Sequence, residues 1–271
     1  MRYFVFLVCL ALYDAPSFAA PSAPQKISYS VPKEPTGQLV YIRDQGRSGK
    51  WYKDEAGLNW YAKPDEVHAE LQTAAEVISS EIYRELGYFA PRVVIREING
   101  VRHAVISELP TDGVPSDNLA DVHSAELRQM RFIAAYLKDW DRMQSENNFR
   151  YGKSDFAIFD FAGSLGSRAQ GEFKPGTVVS EAIGAYDGSE DAAKIYNSFK
   201  PMGLPKNHAW MQVTRADAEV IVAKLKTLTD NKLIRIVAAA KYTQASDTRY
   251  MTEALRTRRD ALIFHLVDCF K

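Results

Sequence analysis

The sequence has no excess of charge of either sign and very little cysteine. Its 34 lysine and arginine residues balance 34 aspartate and glutamate residues, so it lacks the global basic field that attracts nucleic acid. The two cysteines are Cys9 and Cys269. If the N-terminal segment with Cys9 is removed, an intrachain disulfide is excluded. A chain of 271 residues is long enough to be stable on its hydrophobic core alone.

Long hydrophobic runs are also scarce. The run from Phe4 to Leu12 follows Arg2 and is too short to span a bilayer as a helix of the mature protein. A charged start, a short apolar segment and small residues near Ala19 are typical of a secretory signal peptide, residues 1–19. We therefore predict cleavage after Ala19 and export to the periplasm or the medium. The surroundings of Cys9 make a poor lipidation site, so we expect no stable membrane anchor. The alternative is a buried N-terminal strand.

Three common catalytic signatures are missing. The segment "GRSGKW" lacks the spacing of a phosphate-binding P-loop and has no Ser or Thr after Lys50. The segment "AGSLGS" is not a nucleophile elbow, because Gly163 directly precedes Ser164. The histidines lack the spacing of metal ligands; they are His68, His103, His123, His208 and His265. These three absences argue against P-loop NTPases, G-x-S-x-G hydrolases and histidine metal sites.

The first half of the chain has β-type patterning interrupted by one helix. Residues 20–37 contain four prolines and indicate an extended leader. From Gln38 to Pro64, β-type runs separated by glycine-containing turns predict two or three strands. Apolar residues at helical spacing predict a helix from Leu71 that ends at Gly87. Asn99-Gly100, between two β-rich runs, predicts a hairpin.

The second half is mainly helical. A helix is predicted from about Ser124 to Leu137, and three further helical segments follow Trp210. Thr214 and Asp217 predict a capping box at the start of the first of these, with Asp in place of the usual Glu. A β-rich part with one helix followed by a helical part is an α+β arrangement of two lobes.

Four charged residues lie in an order that suits phosphoryl transfer, which needs a cation on the phosphates, metal ions and a group that orients the attacking hydroxyl. Lys63 ends a predicted strand, and Glu76 lies on the next helix, where it can hold the ammonium group. Asp141 follows the second helix, and Asp160 ends the run "FAIFD". Carboxylate and amide oxygens suit Mg²⁺, and Asn147 and Asn148 offer amide oxygens.

These segments resemble a known family. "WYAKP…AAEVISSEIYRELGYFAPRVVI" is similar to the lysine strand and glutamate helix of bacterial kinase-like proteins, and "DWDRMQSENNFRY…AIFDFAGSLG" resembles their catalytic loop and metal-binding Asp. "LTDNKLIRIVAAAKY…EALRTRRDAL" resembles their C-terminal helices. The resemblance covers about Val40 to Leu266 and points to the HipA-like, CotH and secretory-pathway kinases. It implies a bilobal protein-kinase-like fold over residues 38–271, with a β-rich N-lobe of about 38–110 and a mostly helical C-lobe of about 111–271.

The resemblance also implies roles for residues of the N-lobe. Lys63 would contact the α- and β-phosphates of ATP, and Glu76 would pair with Lys63. Glu81, on the same helix, is the alternative partner. The turn with Gly46 and Gly49 would cover the phosphates, and the segment around Glu108 would form the adenine-binding hinge.

In the C-lobe, Asp141 would be the catalytic Asp and Asp160 would bind Mg²⁺ or Mn²⁺. The pattern departs from the family at Met143, where these kinases usually carry His. The gap after Asp141 is longer than the common pattern, so the second metal ligand could be Glu146, Asn147 or Asn148. The metal motif reads Asp-Phe-Ala-Gly, which is one residue longer than Asp-Phe-Gly.

Two functions remain open at this point. The first is an exported Mg²⁺-dependent phosphotransferase that moves a phosphoryl group from ATP to a hydroxyl of a protein or small molecule. The second is a pseudokinase that binds a nucleotide or a protein partner without turnover; Met143 favours it, whereas the four charged residues favour the enzyme. Nucleotidyl transfer uses the same residue types. The sequence does not name the acceptor.

Overall fold

The computed structural model describes ten segments of the chain, within one compact unit from Val31 to Lys271. They are residues 34–46, 48–65, 70–109, 124–139, 142, 149–151, 156–167, 186, 195 and 209–270. The predicted signal peptide lies outside the described residues, as does most of the predicted leader. Asp141, Glu146, Asn147 and Asn148 lie outside them as well.

A five-stranded antiparallel sheet forms the N-terminal part, in the strand order β1-β2-β3-β5-β4. The strands are β1 (Val40–Gln45), β2 (Gly49–Lys53), β3 (Asn59–Pro64), β4 (Val93–Ile98) and β5 (Val101–Ser107). The predicted strands are confirmed. In the β4–β5 hairpin, Asn99 and Gly100 have φ values of 52° and 74°, the left-handed conformation that a two-residue I′ turn requires.

The two faces of the sheet have different environments because side chains alternate along each strand. One face carries a small cluster made by Tyr52, Trp60, Ala62 and Val105. The opposite face carries Lys63 on β3 and packs against α1 (Leu71–Glu85). Because of this alternation, Lys63 lies on the sheet face that packs against α1, the helix that carries Glu76.

Helix α1 is fixed at its start by a side chain of the preceding loop. The Asp65 Oδ1 atom accepts from the backbone N–H groups of Gln72 at 3.0 Å and Thr73 at 2.9 Å. These are two of the N–H groups that a helix cannot satisfy by itself. Because Asp65 directly follows β3, this capping contact sets where α1 begins relative to Lys63.

The C-terminal part is helical, as predicted. Its helices are α2 (Ser124–Leu137), α3 (Arg215–Leu225), α4 (Asp230–Ala239) and α5 (Ala245–His265), with short 3₁₀ turns at Ala209–Met211 and Leu266–Phe270. A small antiparallel pair, β6 (Phe149–Tyr151) and β7 (Phe156–Ile158), follows α2. One continuous apolar core includes residues of α1, of the sheet face that packs against α1, and of helices α2 to α5.

The predicted capping box at the start of α3 is present. The Thr214 hydroxyl accepts from the Asp217 N–H at 3.2 Å, and the Asp217 carboxylate accepts from the Thr214 N–H at 3.0 Å. Arg128 of α2 adds an ion pair at 2.7 Å to the same carboxylate. Burial alone would raise the pKa of Asp217, but these hydrogen bonds outweigh it and hold the pKa below its ordinary value.

Helix α4 and the residues after it contact both ends of α1. Lys232 of α4 forms an ion pair at 2.6 Å with Glu85, in the last turn of α1. At the other end, Glu70 accepts hydrogen bonds from the N–H and the hydroxyl of Thr243, at 2.9 and 2.6 Å. In the described part of the chain, no helix is both long enough and apolar enough to cross a membrane.

Candidate active site

Lys63 lies at the centre of a three-residue charged group. Its Nζ atom is 2.6 Å from the Glu76 Oε1 atom of α1 and 2.6 Å from the Asp160 Oδ1 atom, two residues after β7. The predicted contact between Lys63 and Glu76 is confirmed. The group joins a strand of the sheet, the helix beneath it and the segment after β7, across 97 residues of sequence.

Glu76 is the buried member of this group, with a side chain 1% exposed. Its second carboxylate oxygen, Oε2, accepts from the backbone N–H of Phe161 at 3.1 Å. One carboxylate therefore fixes both the ammonium group of Lys63 and the backbone that directly follows Asp160. Glu81, the alternative partner, instead pairs with Arg92 at 3.2 Å.

The charges of the three groups do not cancel. Burial by itself would lower the pKa of Lys63, but the carboxylates of Glu76 and Asp160 outweigh it and hold the pKa above its ordinary value. Burial raises the pKa of Glu76, against the lowering effect of Lys63. With both carboxylates ionised, one cation faces two anions and the group carries a net charge of about −1.

Asp160 is the most exposed member of the group. The Asp160 side chain is 44% exposed, compared with 22% for Lys63, so its carboxylate is accessible to a cation from solvent. A carboxylate oxygen is the ligand type that Mg²⁺ and Mn²⁺ prefer, so the Asp160 carboxylate is chemically suited to contact such an ion. Within the described residues, no three His, Cys, Asp or Glu side chains cluster as a metal site.

The backbone at Asp160 has a strained conformation that a buried arginine supports. Asp160 has φ = 63°, which is unfavourable for a residue with a Cβ atom. Arg142 donates to the carbonyl oxygens of Phe159, at 2.5 Å, and of Asp160. Its guanidinium carbon also lies 5.1 Å from the centre of the Phe161 ring. Arg142 thus contacts the residues directly before and after Asp160, whose carboxylate is exposed.

Arg142 is held by a second buried pair. Its Nε atom is 3.0 Å from the Asp139 carboxylate, and both side chains are 0% exposed. The Tyr83 hydroxyl, from α1, donates to the same carboxylate at 3.1 Å. Burial, and then the Asp139 carboxylate, raise the pKa of Tyr83 well above its ordinary value, so the hydroxyl stays a donor. This network connects α1, the end of α2 and the segment after β7.

The sequence patterns above predict no role for Arg142, Asp139 or Tyr83. The segment "KDWDR" does place an acidic and a basic residue, Asp139 and Arg142, three positions apart after a predicted helix, which is a weak indication of an ion pair. The carbonyl acceptors of Arg142, by contrast, lie 17 and 18 residues away and have no side-chain signature.

The predicted phosphate-covering turn joins β1 to β2. Gly46 has φ = 67°, a conformation in which glycine is preferred. A Cβ atom at Gly49 would overlap the Tyr61 hydroxyl, so Gly49 gives room for that ring beneath the turn. The role of the two glycines in covering phosphates stays a prediction.

Glu108, in the predicted hinge, directly follows β5. Its backbone N–H donates to the Asn59 carbonyl at 3.3 Å. Its carboxylate accepts from the Asn59 side-chain amide at 2.9 Å. The structure thus fixes Glu108 to the start of β3, at the end of the strand opposite to Lys63. Its part in nucleotide binding stays a prediction, as do the nucleotide and metal roles of Lys63, Glu76 and Asp160.

The five-stranded sheet with one packed helix, the helical second part, and the lysine–glutamate pair between strand and helix define a protein-kinase-like fold, which confirms the predicted fold class. Comparison with solved structures gives the same fold. The Helicobacter pylori proinflammatory kinase CtkA matches at a TM-score of 0.57 and 10% identity, over 84% of this chain and 94% of that chain. A structure of the Shewanella oneidensis MR-1 toxin–antitoxin system HipA, HipB and its operator DNA is also matched, at a TM-score of 0.46 and 9% identity, over 88% of this chain and 74% of that chain.

The comparisons based on sequence gave no match. No family model matches the chain, and no curated protein matches it either. The likeness therefore lies in the fold.

Proposed function

We propose that the chain is an exported kinase-like phosphotransferase that moves a phosphoryl group from ATP to a hydroxyl of a protein or small-molecule acceptor, with Mg²⁺ or Mn²⁺. The observation that carries the proposal is the shared contact of Lys63 with Glu76 and Asp160, at 2.6 Å each. A lysine fixed by a buried glutamate, next to an accessible carboxylate, supplies a cation for phosphate oxygens and a ligand for a metal ion. The fold supports the same function.

In this proposal each residue has a separate task. Lys63 donates to the phosphate oxygens of the nucleotide, and Glu76 keeps the ammonium group in place. Asp160 holds the metal ion, which when bound neutralises charge on the phosphates. Asp141 orients the acceptor hydroxyl and takes its proton. One of Glu146, Asn147 and Asn148 provides a further metal ligand.

The alternative function is a pseudokinase that binds a nucleotide or a protein partner without turnover. Met143 favours it, because it stands where the families that the chain resembles usually carry His. Turnover separates the two functions, since only the enzyme releases ADP. Nucleotidyl transfer would instead release pyrophosphate, so the identity of the product distinguishes it.

The test measures metal and nucleotide binding together with product formation, for the wild type and four variants. We expect Lys63→Ala to weaken nucleotide binding and Asp160→Asn to weaken metal binding, by at least about tenfold each. Asp141→Asn should mainly slow transfer while binding is kept. Lys53→Ala is the matched control, because Lys53 is an exposed lysine of the same sheet.

The outcomes of this test are distinct. If Asp160→Asn binds metal and nucleotide like the wild type, Asp160 is a turn residue and the site assignment is wrong. If the wild type binds nucleotide but forms no product, the pseudokinase function replaces the enzyme. If the wild type binds neither nucleotide nor metal, the phosphotransferase and a nucleotide-binding pseudokinase are both wrong.

A further inference from the structure

Two buried serine hydroxyls connect helix α1 to the turn that follows Asp160. Ser79 of α1 and Ser164 are both 0% exposed, and their Oγ atoms are 2.7 Å apart. The two residues are separated by 85 positions in the sequence. A hydroxyl that is shielded from water is costly unless it finds a hydrogen-bond partner. The serine pair is therefore a specific contact between the helix and the turn.

The direction of the hydrogen bonds follows from a count of protons, because each hydroxyl has one proton to donate. The Ser164 hydroxyl donates to the Phe161 carbonyl at 2.7 Å, so the proton between the two serines comes from Ser79. The Ser164 backbone N–H donates to the same carbonyl at 3.0 Å. A chain of hydrogen bonds thus runs from Ser79 through Ser164 to the backbone of Phe161.

Helix α1 consequently holds the backbone of Phe161 at both of its polar groups. The Glu76 carboxylate accepts from the Phe161 N–H at 3.1 Å, whereas Ser79 acts on the Phe161 carbonyl through Ser164. Glu76 and Ser79 are three residues apart, so they lie on one face of the helix. The two contacts together restrict rotation of the backbone on either side of the Phe161 Cα atom, directly after Asp160.

Asp160 needs such support because its own backbone is strained. Its φ of 63° is unfavourable for a residue with a Cβ atom, and a conformation of this kind persists only where the surrounding contacts fix it. A turn that lost the serine contact could relax towards a more ordinary backbone conformation. The Asp160 carboxylate would then point in a different direction, although neither serine touches it.

We propose that Ser79 and Ser164 are positioning residues for Asp160, and that their hydrogen bond holds the turn in the conformation that presents the carboxylate to a divalent metal ion. The inference rests on the proposed function, in which Asp160 is a metal ligand. It gives α1 a second task beside the orientation of Lys63 by Glu76. The fraction of molecules with the turn in this conformation sets the apparent affinity for the metal ion.

The experiment uses the full chain and compares Ser79→Ala with Ser80→Ala. Ser80 is the matched control, because it is the next residue of α1, is equally buried, and donates to the Pro91 carbonyl, which is not part of the turn. Each variant loses one buried hydroxyl, so both should lower the urea midpoint by similar amounts. Only Ser79→Ala should weaken Mn²⁺ binding, measured with and without ATP, by about two- to tenfold, the factor that one hydrogen bond accounts for.

A double-variant comparison tests whether the two serines act as a unit. Ser164→Ala removes the middle of the hydrogen-bond chain, so it should weaken Mn²⁺ binding at least as much as Ser79→Ala does. The variant with both changes should bind Mn²⁺ about as well as Ser164→Ala alone, because the contact that Ser79 makes is already lost. Effects that multiply would mean that the serines act independently and would contradict the inference.

A second readout needs no metal ion. Hydrogen exchange of the Phe161 N–H, followed by NMR in the absence of Mn²⁺, reports local opening of the turn. Ser79→Ala should accelerate this exchange more than Ser80→Ala does. A purely structural role of Ser79 would affect the two variants alike, since each would act only through the overall stability.

The inference is overturned if Ser79→Ala and Ser80→Ala bind Mn²⁺ equally well while Asp160→Asn still weakens binding. It is also overturned if the two serine variants exchange the Phe161 N–H at the same rate, because the turn is then not loosened. If the wild type binds no Mn²⁺ with or without ATP, the proposed function fails, and the inference fails with it.

Discussion

The buried pair between Arg142 and Asp139 should be one of the most sensitive points of the fold. Both side chains are fully buried and 3.0 Å apart, and the Tyr83 hydroxyl donates to the same carboxylate at 3.1 Å. Asp139→Asn keeps the size of the side chain and removes its charge. The guanidinium group of Arg142 then loses the charge of this buried carboxylate, which costs much more than the loss of a surface ion pair.

Removing one partner of a buried pair costs about 3–5 kcal/mol. Arg142 keeps its two carbonyl acceptors, at Phe159 and Asp160, so we expect a loss near the lower limit, about 3 kcal/mol. Tyr83→Phe removes one hydrogen bond to a charged group and should cost about 1.5–3 kcal/mol. The double variant should lose less than the sum, because Asp139→Asn already weakens the Tyr83–Asp139 hydrogen bond that Tyr83→Phe removes.

Urea unfolding at neutral pH gives the free energy of unfolding of each variant. Asp230→Asn is the matched control, because Asp230 pairs with Arg259 at 2.8 Å but is 53% exposed, and exposed pairs contribute about 0–1 kcal/mol. A loss below about 1 kcal/mol for Asp139→Asn, or strict additivity with Tyr83→Phe, would refute the reasoning.

Three further predictions concern other regions. Asp217→Asn should lower the free energy of unfolding by about 1–3 kcal/mol at pH 7. The pKa of Asp217 is lower in the folded protein than its ordinary value, so the wild type loses this stabilisation as acid protonates the carboxylate. The difference in the free energy of unfolding between wild type and variant should therefore become smaller below about pH 4. Lys232→Met should cost about 0.5–1 kcal/mol in urea unfolding, and less in 1 M salt, because its pair with Glu85 is partly exposed. Mass spectrometry of secreted protein should show a chain that begins after Ala19; an intact Met1 would contradict export by a cleaved signal.

The strands and helices could be predicted because their signals are local. Asn99-Gly100 specifies its turn by two adjacent residues, and α1 is marked by apolar residues at helical spacing that end before Gly87. The pairing of Lys63 with Glu76 was also predictable, since a strand followed at once by a packed helix brings the two within reach. Glu76 was the predicted partner and Glu81 the alternative, and the helix face that meets the sheet decides for Glu76.

The supporting contacts could not be predicted, for two physical reasons. Arg142 binds backbone carbonyl groups, which every residue possesses, so no residue type marks the acceptors. The contact of Tyr61 with the β1–β2 turn depends on strand register, and a shift of one residue would send Tyr61 to the opposite face. Sequence alone indicates aromatic residues on strands but leaves their face undecided until the register is known.

The position of Glu76 depends on the C-terminal helices as much as on the sheet. Helix α1 is tied at its last turn by the Glu85–Lys232 ion pair and at its start by the hydrogen bonds between Glu70 and Thr243. A movement that withdrew Glu76 from Lys63 would have to break the interactions at one of these ends and expose apolar surface that α1 buries. Both effects raise the free energy of the opened state. The fold itself therefore brings Lys63 and Glu76 together. Residues 230–243 are distant from both in sequence, but their contacts with the two ends of α1 help to fix the position of Glu76.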